Sequence, residues 1–295
     1  MNKKIVLLFA AACALFSLTA AETAAPAAKK TEAAVKAPAK AKKASAKKPA
    51  KKANVLPADG GMKASTTATP RFNPKAKKKN AWHKRYDTKL KQIAAYKNDV
   101  DMVWIGDSIT HYWDTDALKN KRKFGGLATY NKYFSKYKVI NLGYSGDRTQ
   151  HALWMAAKSP YLNNIKPKMV MVMIGTNNIS RNRATPAAAA AGVTKVVEAL
   201  RARLPETRIL LFGVFPREAS VKHKYRQHIK DINAVISKLA DDKNVFYCDI
   251  TDKFLDKNGT LSRSIMPDLL HPNDAGYEIW AQAMMPYVEK FVGKK

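Results

Sequence analysis

Five short runs dominated by apolar residues, spaced by stretches of helical periodicity, constrain this chain more than any other feature. The runs are Val100–Ile105, Lys138–Leu142, Met169–Ile174, Arg208–Val214 and Asn244–Tyr247. They are too short for typical helices and lack the alternation of a strand with one wet face, so they read as strands buried on both sides. Around them, residues 81–97 carry Trp82, Tyr86, Leu90, Ile93 and Tyr96 near helical spacing. Further helical stretches fall at about 148–158, 186–203, 221–240 and 273–292, the second of these opened by Thr185-Pro186, a capping residue followed by an N1 proline. Buried strands alternating with helices predict a parallel sheet covered on both faces, one α/β domain over residues 81–295 without internal repeat.

The residues before 81 are of a different kind. Lys3 and Lys4 precede an apolar stretch from Ile5 to Leu18 and the small residues Thr19, Ala20 and Ala21. This is the pattern of a secretory signal peptide, residues 1–21, and its apolar core is shorter than the ~20 residues that span a bilayer as a helix. The chain is therefore expected to be exported, periplasmic or secreted, with no membrane span once the leader is removed. Residues 22–80 are mostly Ala, Lys, Pro and Thr, and hold +13 of the formal net charge of +30. With few bulky apolar side chains and helix-interrupting prolines, they read as an extended, self-repelling linker. Such a basic tail is expected to associate electrostatically with anionic envelope polymers, with a purely passive linker as the alternative. Export and the lack of interleaved aromatics argue against nucleic acid as its partner. Loss of the leader removes Cys13 and leaves Cys248 alone, which excludes a disulfide framework.

In an open parallel sheet, ligands bind beyond the carboxyl ends of the strands. Three segments there carry chemistry: Gly106-Asp107-Ser108-Ile109-Thr110, Gly143-Tyr144-Ser145-Gly146-Asp147-Arg148 and Gly175-Thr176-Asn177-Asn178. A fourth, Asp268-Leu269-Leu270-His271-Pro272, precedes the last helix. A serine hydroxyl needs a base to become a nucleophile, and a base histidine needs a carboxylate to hold its tautomer. Ser108, His271 and Asp268 supply the three. The tetrahedral intermediate needs donors for its oxyanion, and the N–H groups of Ser108 and Gly143 and the amide of Asn177 are on the expected rim. Tyr144, Trp154, Thr176 and Leu270 lie beside these positions and are expected to touch substrate. Each element alone also fits a structural reading, with Asp107 capping the next turn, Asn177 forming a turn, and Asp268 and His271 capping and packing. Their joint occurrence in this order favours the catalytic one. No metal and no cofactor is expected. His111, His151, His223 and His228 match no metal-ligand spacing, Ser145 lacks the final glycine of a nucleophile elbow, and the Gly-rich nucleotide motifs are missing from the sequence.

These four blocks resemble those of the SGNH (GDSL-type) hydrolases, over nearly all of residues 81–295. The stretch from Asn141 through His151 to Trp154 is most similar to the catalytic subunits of platelet-activating-factor acetylhydrolase and their bacterial relatives, as is Asn178 where much of the superfamily has Asp. The resemblance implies a flavodoxin-like three-layer α/β/α sandwich with a five-stranded parallel sheet. It implies Ser108 as nucleophile, Gly143 and Asn177 as oxyanion donors, and Asp268 with His271 completing the triad. The expected activity is hydrolysis of carboxylic esters, removing a short acyl group, acetyl above all, from a glycan or similar acceptor. A lysophospholipid or other lipid ester is the alternative substrate, and an anionic-polymer-binding envelope protein with vestigial catalysis the alternative function.

Overall fold

The computed structural model describes residues 55–295 except 74, 75, 120 and 122. The expected signal peptide, and the part of the expected linker before residue 55, lie outside the described residues. All five expected strands form: β1 (Met102–Gly106), β2 (Val139–Gly143), β3 (Met169–Met173), β4 (Arg208–Phe212) and β5 (Val245–Cys248). They make one parallel sheet in the order β2-β1-β3-β4-β5.

The helices are α1 (Met62–Thr66), α2 (Ala81–Ala95), α3 (Ser108–His111), α4 (Leu127–Tyr133), α5 (Thr149–Ala157), α6 (Thr176–Ile179), α7 (Pro186–Arg203), α8 (Lys224–Ile236) and α9 (Asp274–Phe291). Alternate strand residues feed two separate cores, as the pleat requires. Val103, Ile105, Ile140, Leu142, Val170 and Val172 pack with α5, α7 and α8 on one face. Met102, Trp104, Val139, Met169, Met171 and Met173 pack with α9 and the aromatic residues Trp113 and Phe134 on the other. The chain is a flavodoxin-like three-layer α/β/α sandwich. Among the described residues no helix is long and apolar enough to cross a membrane.

Edge strand β2 exposes a row of carbonyls that sheet pairing leaves unmet. Helix α2 covers it with side chains. Gln92 Nε2 donates to Val139 O (3.2 Å), and Arg85 donates through Nη2 to Asn141 O (3.0 Å) and through Nε to Gly143 O (2.9 Å). Arg85 and Lys89 both pair with Asp114 (2.9 and 3.1 Å), which locks the helix against the end of the strand.

The folded unit begins earlier than the expected boundary at residue 80. Helix α1 lies in the stretch read as linker, and its Ser65 is buried. Ser65 O accepts from Thr149 Oγ1 (2.9 Å), and Ser65 Oγ accepts from Asn178 Nδ2 (3.1 Å). Phe72 packs edge-on against Tyr86 and Trp154. A few long-range contacts hold this segment where its own composition favours no order.

Candidate active site

Parallel register brings the functional segments together. Gly106 of β1 pairs with Gly143 of β2 and with Met173 of β3, so all three strands end at one level. The chain leaving β1 turns at once into α3, with Asp107 as its N-cap accepting the Ile109 N–H (3.0 Å). The structural role weighed for Asp107 is therefore real. Full burial raises its carboxyl to about 6, against the opposing hydrogen bond from Ile109.

Ser108, the first residue of α3, is 6% exposed, and its hydroxyl lies 2.8 Å from His271 Nε2. His271 Nδ1 lies 2.6 Å from Asp268 Oδ2, which sets the tautomer: Nδ1–H donates to the carboxylate and Nε2 is left to accept from Ser108. Asp268 Oδ1 also accepts the N–H groups of Leu270 (3.1 Å) and His271 (2.8 Å). Between them Leu269 takes a left-handed φ of 60°, a conformation rare for leucine, and the turn thereby presents both side chains on one side. Desolvation is the largest influence on the Asp268 carboxyl and raises its pKa, but the hydrogen bonds and charge of His271 outweigh it and the net shift is downward. The His271 ring is walled by Phe124 (4.7 Å between centroids) and Tyr112 (5.2 Å).

The oxyanion side departs from expectation at Gly143. Its N–H already donates to Asn141 Oδ1 at 2.8 Å. The reason for a glycine there is steric, because a Cβ would fall 2.3 Å from His111 N. The open donor is three residues on. Tyr144 O accepts the Asp147 N–H (2.9 Å), closing a turn in which Gly146 has φ +80°. The third position of a type II turn demands that φ, and among the described residues the Gly146 N–H meets no acceptor. The sequence carried this signal in Ser145-Gly146-Asp147. Asn177 faces the same turn, one amide hydrogen donating to Asp147 O (2.9 Å) and the second left over.

Two histidines fasten the turn, His111 half-buried and His151 buried. His111 Nδ1 accepts the Ser145 N–H (3.2 Å) and His151 Nδ1 accepts the Arg148 N–H (3.0 Å). Burial above all, aided by nearby arginine charge, lowers both pKa values to about 3, so both rings stay neutral.

The four residues expected at substrate divide. Leu270 lines a cavity of about 390 Å³ together with Gly146 and Asn177. Thr176, buried, sits with its hydroxyl 3.4 Å from Arg217 Nη1. Tyr144 and Trp154 instead line a small inner space with Phe72 and His151. The Tyr144 hydroxyl is spent on Tyr161 (2.5 Å), and Phe72, from the unexpected N-terminal segment, packs on Trp154.

The sequence profile of the GDSL-like lipase/acylhydrolase family matches residues 104–279. Platelet-activating factor acetylhydrolase IB subunit alpha2 of Rattus norvegicus is 30% identical over 181 residues, 60% of this chain and 71% of its own. Subunit alpha1 of Homo sapiens is 28% identical over 178 residues, 60% of this chain and 70% of its own. Among solved structures, a GDSL-like lipase from Bacteroides thetaiotaomicron VPI-5482 is 21% identical with a TM-score of 0.53, covering 70% of this chain and 97% of its own, a likeness of fold.

Proposed function

The chain belongs to the GDSL-like lipase/acylhydrolase family and is a carboxylic ester hydrolase, and from that premise we propose that it removes a short acyl group, acetyl above all, from a polar acceptor such as a glycan, through Ser108, His271 and Asp268. The observation that carries this reading is the unbroken relay from Ser108 Oγ to His271 Nε2 and from Nδ1 to Asp268. Ser108 Oγ attacks the ester carbonyl carbon as His271 Nε2 takes its proton. The oxyanion meets the N–H groups of Ser108 and Gly146 and the free amide hydrogen of Asn177. The tetrahedral adduct collapses, the C–O bond to the alcohol breaks, and the imidazolium protonates the leaving oxygen. Water, deprotonated by His271, then releases the acid from Ser108.

A short acyl group is supported by the acetylhydrolase relatives, and a polar acceptor by the polar walls of the cavity beside Asn177, which suit a hydrated group better than a lipid tail. The test is hydrolysis of p-nitrophenyl esters of increasing chain length by the full chain and by Ser108→Ala. Acetate should be the best substrate and the variant should be inactive. Activity retained by Ser108→Ala overturns the mechanism, and a preference for long chains overturns the acyl group in favour of a lipid ester.

We also propose that the protein is exported, the leader at residues 1–21 supporting this, and that the lysines of residues 22–80 hold it to anionic envelope polymers. N-terminal sequencing of the protein from an extracytoplasmic fraction should find the leader removed. Recovery only from the cytoplasm, with Met1 present, refutes export. Sedimentation with cell-wall material that does not weaken as salt rises refutes the electrostatic tether.

A further inference from the structure

The cavity that Gly146, Asn177 and Leu270 border is walled by five arginines, Arg71, Arg148, Arg181, Arg183 and Arg217. They come from four separate segments: the N-terminal segment, the start of α5, the loop after α6 and the loop after β4. Tertiary structure, not a basic run in the sequence, gathers them.

Their charges are poorly compensated. Arg71 Nε is 3.8 Å, a long ion-pair distance, from Asp147, whose carboxyl is 1% exposed and pushed well above its ordinary pKa by burial. Arg217 is 3.6 Å from Glu218. Among the described residues, Arg148, Arg181 and Arg183 have no ion pair. Burial first, and then neighbouring guanidinium charge (Arg183 and Arg71 on Arg148, Arg181 and Arg71 on Arg183), holds Arg148 and Arg183 below the usual guanidinium range. Like charges crowded in this way repel unless an anion joins them.

Three of the five are also held in place. Arg71 Nη1 donates to Gly146 O (3.2 Å) and Arg183 Nη1 to Asn177 O (3.3 Å), so both touch the backbone of the oxyanion-side residues. Arg217 donates to Ser180 Oγ (2.7 Å) and lies over the Tyr225 ring at 4.6 Å, while its buried Nε–H finds no acceptor among the described residues. Fixed guanidinium forks with unused donors match the oxygens of a carboxylate or phosphate. The chain's own Lys-rich N-terminal part has the wrong sign to occupy them.

We propose that this cavity is the acceptor subsite, and that the alcohol half of the natural ester carries an acidic group, a carboxylate or a phosphate, which the arginines bind while Ser108 attacks the acyl carbonyl. The inference rests on the ester-hydrolase reading above and narrows its acceptor to an anionic one.

Three acetyl esters test it with the full chain: 4-acetoxybenzamide, 4-acetoxybenzoate and 4-acetoxyphenyl phosphate. At low salt, kcat/KM for one or both anionic esters should exceed that for the neutral amide by about tenfold, mainly through KM, and the excess should shrink as salt rises. Whichever anion gains more names the acid. In Arg148→Gln/Arg181→Gln the ratio of anionic to neutral kcat/KM should fall towards one. Both chains keep the N-terminal lysines, so their contribution cancels. A wild-type ratio at or below one, or a ratio unchanged in the double variant, overturns the proposal. Calorimetric titration of Ser108→Ala with phenyl phosphate separates this failure from that of the catalytic reading. Binding that the arginine substitutions abolish upholds the subsite even in a chain that hydrolyses none of the esters. Equal hydrolysis of all three with no such binding overturns the subsite and leaves the hydrolase intact.

Discussion

Replacing His151 with glutamine should change how the protein loses stability in acid. The ring is buried and its Nδ1 accepts the Arg148 N–H, which only the neutral tautomer can do. Burial, followed by the charges of Arg148 and Arg71, moves its pKa from the ordinary 6.5 down to about 3. The unfolded chain takes up this proton near 6.5, whereas the folded chain refuses it until about 3. The contribution is therefore fully present above 6.5 and lost as pH falls towards 3. At 1.36 kcal/mol per pKa unit, going from about pH 7 to about pH 4.5 removes roughly 3 kcal/mol through this one residue. His111 behaves in the same sense and Asp107, raised to about 6 by burial, in the opposite one, but both are present in wild type and variant and cancel in the comparison. The variant loses packing and should be less stable at pH 7. Its further loss on acidification, measured by urea unfolding at the two pH values, should be smaller than that of wild type by the same ~3 kcal/mol. Parallel losses would refute the claim that His151 is held neutral.

Asn177→Ala should lower kcat by about 10²–10³-fold with little change in the thermal midpoint, as expected for a lost oxyanion donor. The two glycines should separate. Gly146→Ala, forced to φ +80° with a Cβ 3.0 Å from Arg71 Nη2, should lower kcat in a chain destabilised by only about 1–2 kcal/mol, whereas Gly143→Ala, whose Cβ meets backbone at 2.3 Å, should show its main loss in thermal unfolding. Asp268→Asn should cost about 10³–10⁴ in kcat with the fold retained by circular dichroism, because the neutral amide no longer stabilises the imidazolium. A chain starting at residue 81 should melt well below one starting at residue 55. Without Ser65, Asn178 and Thr149 lose buried hydrogen-bond partners worth about 1–3 kcal/mol each, and equal midpoints would show that α1 contributes nothing.

The alternation of strands and helices was legible because buried parallel strands and amphipathic helices write their environment into local residue order. Val103 to Ile105 or Met169 to Met173 has no other economical reading. The segments holding Ser108 and Asn177 were legible for a related reason, since the end of a parallel strand is where a site forms and the strands could be counted, and His271 was legible from the Asp268 three residues before it. Helix α1 was not, as Lys, Ala and Thr around Ser65 carry no pattern of their own and are ordered by partners far along the chain, among them Thr149, Asn178 and the backbone of Thr185. Tyr144 and Trp154 sit near the proposed site residues in sequence, yet with Phe72 they line an inner space, Tyr144 bonded to Tyr161 and Trp154 packed on Phe72.

From its residues alone, then, the chain determined its layers, its parallel sheet and the segments in which the proposed reactive groups lie. Tertiary structure decided how the open Gly146 N–H is presented, because His111 and Asn177, 34 and 30 residues away, hold its turn at Ser145 and Asp147. It also decided where positive charge collects, because five arginines from four segments meet only when the loops close over one rim. Local sequence records what each residue must be buried in. Hydrogen-bond satisfaction and charge density are sums over neighbours brought from far along the chain, and no stretch of sequence contains them.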